Sequence, residues 1–113
     1  MCTENSLKNI LGDVFTYAKN ELGNSLTTVI LYGSYARGDY DSESDIDVMV
    51  IADISSEEIK KVSKKFSAFS LDVDLKYDIV LSIIVQDKTT FEKYKATYPL
   101  FKNIVREGVE FCA

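Results

Sequence analysis

The chain has 113 residues, 46% of them hydrophobic, which is enough for one domain around one core and too little for a second. Its 13 basic and 18 acidic residues leave a net charge of −5, which excludes a protein that coats nucleic acid by bulk charge and leaves nucleic acid only as a locally held acceptor. With no histidine anywhere, serine–histidine and cysteine–histidine hydrolases are excluded, and general-base chemistry falls to carboxylates, lysine or metal-bound water.

Leu7, Ile10, Leu11, Val14, Phe15, Ala18 and Leu22 recur every three or four positions, which predicts an amphipathic helix over 6–22 stopped by Gly23. The β-branched run 27–32 predicts a buried strand that runs straight into Gly33 and Ser34. A Gly-, Asp- and Ser-rich turn follows, then a second strand over 45–52. Ser55 with Glu58 matches a capping box, and Ile59, Val62, Phe66 and Phe69 carry a second helix over 55–69. The opposite face of that helix holds Lys60, Lys61, Lys64 and Lys65 and reads as a solvated surface. The nearly continuous apolar run 78–85 predicts a strand covered on both faces. A third helix is expected from Thr89, and Pro99 is placed to open a last one, with Phe101, Ile104 and Val105 inward and Gly108 at its end. Residues 109–111 read as an edge strand. Together these elements predict an α/β (α+β) domain spanning 1–113, a short mixed sheet with helices packed on it.

Cys2 and Cys112 show no CxxC spacing and suit a reducing cytosol, with a bond between the termini left open. The N-terminus lacks the basic and apolar segments of a signal peptide, and no stretch approaches ~18 apolar residues, so the chain reads as soluble and cytoplasmic, with no membrane partner.

The most informative stretch is 33–50, GSYARGDYDSESDIDVMV. Asp45 and Asp47 are separated only by Ile46, so on a strand both carboxylates project from one face. Two carboxylates side by side repel, and one pKa rises unless a cation lies between them. Hard oxygen ligands of this kind suit Mg²⁺, which keeps several waters and shares its remaining positions with substrate phosphates. Gly33 and Ser34, where a strand meets a turn, allow backbone N–H groups and a hydroxyl to converge on a phosphate. No GxxxxGK[ST] or GxGxxG competes for that role. The alternating acids from Asp39 do not make a calcium loop, because Ser44 stands where the turn glycine belongs and Val50 where the bidentate glutamate belongs. Asp39, Asp41 and Glu43 therefore read as turn and loop residues.

Gly33-Ser34, ten intervening residues, then Asp45-Ile46-Asp47 resembles the signature of the DNA polymerase β nucleotidyltransferase superfamily, and GSYARGDYDSESDID resembles its minimal members. The resemblance extends to the ending PLFKNIVREGVEF. It implies that Gly33 and Ser34 bind the triphosphate of ATP or another nucleoside triphosphate, with Arg37 one helical turn beyond, either near the phosphates or in a surface ion pair with Asp39 or Asp41. It implies that Asp45 and Asp47 bind two Mg²⁺ ions. A third carboxylate is expected from a neighbouring strand, where Asp78 is the candidate ligand and base and Asp72 and Asp74 are rivals. The implied activity is Mg²⁺-dependent transfer of a nucleoside monophosphate, AMP by preference, to an acceptor hydroxyl. The resemblance also suggests the antitoxin of a toxin–antitoxin pair, with a small helical partner protein or a second copy of the chain supplying the acceptor side. The alternative is a non-catalytic nucleotide-binding module that acts on a helical partner by contact.

Overall fold

The computed structural model describes residues 4–41 and 43–111. Cys2 and Cys112, and with them any bond between the termini, lie outside the described residues. Helix α1 (Glu4–Leu22) is followed by a short 3-10 turn, strand β1 (Leu26–Tyr32), the four-residue helix α2 (Ser34–Arg37) and strand β2 (Ile46–Ala52). Then come α3 (Ser56–Tyr77), β3 (Leu81–Asp87), α4 (Lys88–Tyr94), α5 (Pro99–Glu107) and β4 (Val109–Phe111). No helix among the described residues is long and apolar enough to cross a membrane.

The four strands form one mixed sheet in the order β3-β2-β1-β4. β1 pairs antiparallel with β2 and with β4, whereas β2 and β3 run parallel. A parallel pair needs a long crossover, and α3 supplies it. Side chains alternate across the sheet. Val29, Leu31, Ile46, Val48, Val50, Leu81 and Val85 therefore meet α1 and α3 on one face, and Ile30, Met49, Ile51 and Ile84 meet Phe91, Phe101 and Ile104 of α4 and α5 on the other. β2 is apolar on both faces because both are covered, and six of its seven residues are buried.

The Ser55 hydroxyl caps α3, accepting from the Glu58 N–H at 3.2 Å. The helix continues to Tyr77, two turns past the expected end at 69, because Val73 extends the buried stripe of Phe66. β3 begins at Leu81 and not at Asp78, and as an edge strand it buries only Leu81 and Val85. In α5 Phe101 and Ile104 are buried as expected, while Val105 is 60% exposed, because the stripe on this nine-residue helix is only two residues wide. Lys60, Lys61, Lys64 and Lys65 are exposed, and Lys65 pairs with Glu21 at 3.3 Å.

Candidate active site

Ile46, fully buried toward α1 and α3, sets the orientation of its two neighbours. Asp45 precedes β2, Asp47 is its second residue, and the strand pleat turns the Asp47 side chain to the face occupied further along by buried Met49 and Ile51. The acids thus stand where the apolar layer under α4 and α5 ends. Asp47 is flanked across the sheet by Tyr32 on β1 and Ser82 on β3, its register partners. This makes a row of hydroxyl, carboxylate and phenol across three adjacent strands.

Gly33 links this row to the turn. Its φ of 76° and ψ of −156° lie in a region that residues with a side chain rarely enter. A Cβ built on it would stand 2.6 Å from Asp47 Oδ2. The backbone of the Gly-Ser turn therefore rests directly beside the Asp47 carboxylate. The Gly33 carbonyl accepts from the N–H groups of Ala36 and Arg37, both at 3.1 Å, and this bond pair starts α2 with Ser34 as its first residue. Gly38, left-handed, closes the helix by donating to the Ser34 carbonyl at 2.9 Å.

Arg37, the last residue of α2, donates from Nε to Asp39 at 3.0 Å and from Nη1 to Glu107 at 3.1 Å. Its ion pair with Asp39 is one of the two expected; Asp41 instead accepts the Glu43 N–H at 2.9 Å and organises the turn with Ser44. The second partner, Glu107, comes from the end of α5. Burial first, then the Asp45 charge, raises the Asp47 carboxyl above its usual range, and Arg37 offsets part of this. Tyr32 is pushed up to about 12 by burial and by Asp47, so it carries its proton at neutral pH.

Among the described residues neither Asp45 nor Asp47 takes a hydrogen bond, and no three His, Cys, Asp or Glu side chains gather as a metal set. The donor chemistry of the pair fits Mg²⁺: hard carboxylate oxygens that repel one another, on an exposed Asp45 and a half-buried Asp47. The expected third carboxylate is not on the neighbouring strand. Asp78 is the exposed left-handed cap of α3 (φ 53°), ahead of β3. Asp74 is engaged, accepting the Leu81 N–H at 2.7 Å, and Asp72 is exposed on the helix. Strand residues need a strand to project from, and the chain is still helical at Asp72 and Asp74, while Asp78 caps that helix ahead of β3. Tyr32, Ser82 and Glu107 were not legible as site residues. Tyr32 could have been read from its place just before the Gly-Ser turn, whereas Ser82 and Glu107 depend on long-range register. Concavities of about 330 to 420 Å³ lie between α1 and α3 and around α4 and α5, and none of the three includes Asp45 or Asp47.

Residues 14–111 match the family model described as nucleotidyltransferase domain, and the chain belongs to that family. It is an enzyme of the nucleotidyl-transferring class. Two similar proteins of Methanocaldococcus jannaschii carry names as candidate protein adenylyltransferases. One is 33% identical over 90 residues, spanning 80% of this chain and 82% of the relative. The other is 42% identical over 85 residues, spanning 74% and 78%. Among solved structures, a toxin–antitoxin complex with AMP-PNP has a TM-score of 0.53 at 18% identity, covering 88% of this chain and 70% of that one. A variant MntA–HpeT toxin–antitoxin complex gives the same score at 15% identity. At these identities the likeness is one of fold, and it matches the mixed four-stranded sheet with helices on both faces.

Proposed function

We propose that the chain transfers AMP from ATP to a hydroxyl on a separate helical partner protein, in the manner of an antitoxin acting on its toxin. The single observation that carries the transfer chemistry is the contact between the two halves of the site, with the Gly33 backbone against the Asp47 carboxylate. Phosphate held at the turn and cation held by the acids would then be adjacent. Gly33 and Ser34 bind and orient the triphosphate, and Arg37 adds positive charge from the end of α2. Asp45 and Asp47 would hold Mg²⁺, in two ions, which when bound neutralises charge on the phosphates.

In the reaction the acceptor oxygen forms a bond to the α-phosphorus while the bond from that phosphorus to the bridging oxygen of the β-phosphate breaks. Pyrophosphate leaves with that electron pair, and the hydroxyl proton passes to solvent. The work of the chain is positioning and electrostatics, with no covalent enzyme intermediate. The names of the archaeal relatives support AMP and a protein acceptor, and the toxin–antitoxin neighbours support a partner protein.

A second reading, a module that binds nucleotide and a partner without turnover, is favoured by the lack of a third acid beside the pair among the described residues. Both readings meet one experiment: transfer of label from α-phosphate-labelled ATP, GTP, CTP and UTP with Mg²⁺ in host lysate. The transferase predicts a labelled protein band from ATP that disappears with Asp45→Asn/Asp47→Asn. Labelling that survives in the double variant, or none with folded wild type and a purified partner present, refutes it in favour of the contact module.

A further inference from the structure

Asp47 has a second neighbour on the acid face that the transfer chemistry has left unassigned. β2 and β3 run parallel and in unbroken register from the Ile46–Leu81 pair to the Ala52–Asp87 pair, which sets Ser82 beside Asp47. Adjacent strands lie about 4.8 Å apart, and side chains of register partners share a face. The Ser82 hydroxyl, on a half-buried residue, is therefore the neighbour-strand oxygen at the site. Two positions before it, ahead of β3, stands Val80, 52% exposed, and two positions after it Ile84 packs into the layer under α4 and α5. Among the described residues no carboxylate of β3 or of the α3 cap joins Asp45 and Asp47 in a three-acid set.

We infer that Ser82 is the third protein member of the site, a neutral oxygen beside two carboxylates, so that the chain presents a two-acid cation site. The inference rests on the reading of Asp45 and Asp47 as metal ligands. Its consequence follows from charge. Divalent-cation affinity rises with the number of charged ligands, and Mg²⁺ dehydrates reluctantly. A site with two acids takes a bare cation weakly and fills its remaining positions with water and nucleotide phosphate. Uptake of metal is thereby tied to arrival of the nucleotide.

The test is titration of the nucleotide-free protein with Mn²⁺, followed by electron paramagnetic resonance of the free ion. Ser82→Asp supplies the missing charge and should tighten Mn²⁺ at least tenfold, whereas Asp78→Asn should leave the affinity of wild type unchanged. Ser82→Cys, nearly isosteric, keeps the question open to measurement even where the aspartate disturbs folding. With Cd²⁺ it should show a thiolate-to-cadmium ultraviolet band that is absent from wild type and lost on adding Asp47→Asn. No gain in Ser82→Asp, weakened binding in Asp78→Asn, or no such band in Ser82→Cys overturns the assignment of Ser82 alone. Absence of Mn²⁺ binding in wild type with and without ATP overturns it together with the metal reading of the acids.

Discussion

Replacing Gly33 by alanine separates what a backbone conformation costs the fold from what it does for the site. At φ 76° and ψ −156° a side chain is strained by roughly 1–3 kcal/mol. For a domain of this size about 2 kcal/mol lowers the melting temperature by roughly 8 °C. The added methyl also meets Asp47 Oδ2 at 2.6 Å. That oxygen is the free end of a side chain, so it yields by rotation, and the collision adds little to the loss of stability. It displaces the carboxylate instead. Gly38→Ala is the control, because Gly38 also has a positive φ (φ 85°, ψ 7°) but a methyl group added there meets nothing within 4 Å. Urea unfolding should show both variants destabilised, by about 1–2 kcal/mol for Gly38→Ala. Mn²⁺ titration with ATP present should show binding lost in Gly33→Ala and retained in Gly38→Ala. Equal metal binding in the two folded variants would refute the claim that the turn and Asp47 share one site.

Phe66→Ala empties the largest fully buried position under the sheet, on α3, and should cost about 3–5 kcal/mol in urea unfolding with an unchanged far-ultraviolet spectrum of the folded baseline. Arg37→Ala removes two exposed ion pairs, so the melting temperature should stay close to wild type while the affinity for ATP falls; an unchanged Kd would remove Arg37 from the nucleotide site. Tyr32 ionises near 12 in the fold against an ordinary 10, so the folded state retains its proton more firmly than the unfolded chain does. Its contribution is complete below pH 10 and is lost as the pH climbs from about 10 through 12, so Tyr32→Phe should flatten the alkaline fall in melting temperature over that window.

What could be read in advance was whatever depends on neighbours in sequence. The stripe of α1, the capping box of α3, Pro99 opening α5 and the strand entering Gly33 each stand as expected, because periodicity and caps are local signals. Asp45 and Asp47 gave a local signal too, two acids two positions apart at the head of an apolar run, and the structure sets Asp45 just before β2 with Asp47 as its second residue. The second half of α3 was not. Exposed Leu71 and Leu75 blur its two-faced pattern, Asp72 and Asp74 are poor helix formers, and packing of Val73 against the core settles the matter. That error carried Asp78 onto a strand it does not reach. Ser82 beside Asp47 is a product of the β2-α3-β3 crossover, and Glu107 lies 70 positions from the arginine it holds. No local pattern encodes either.

The acids grow from the end of a strand that is hydrogen-bonded on both sides and sheathed in side chains above and below. Such a strand is among the last parts of a protein to open in local fluctuations, and its amides should exchange with solvent only through events close to global unfolding. The carboxylates therefore have a fixed mounting, while the Gly-Ser turn beside them hangs on a four-residue helix and two glycines of positive φ. On the proposed reading, any adjustment between loading a nucleotide and releasing pyrophosphate would fall on the turn side, with the acids as the stationary reference against which it moves.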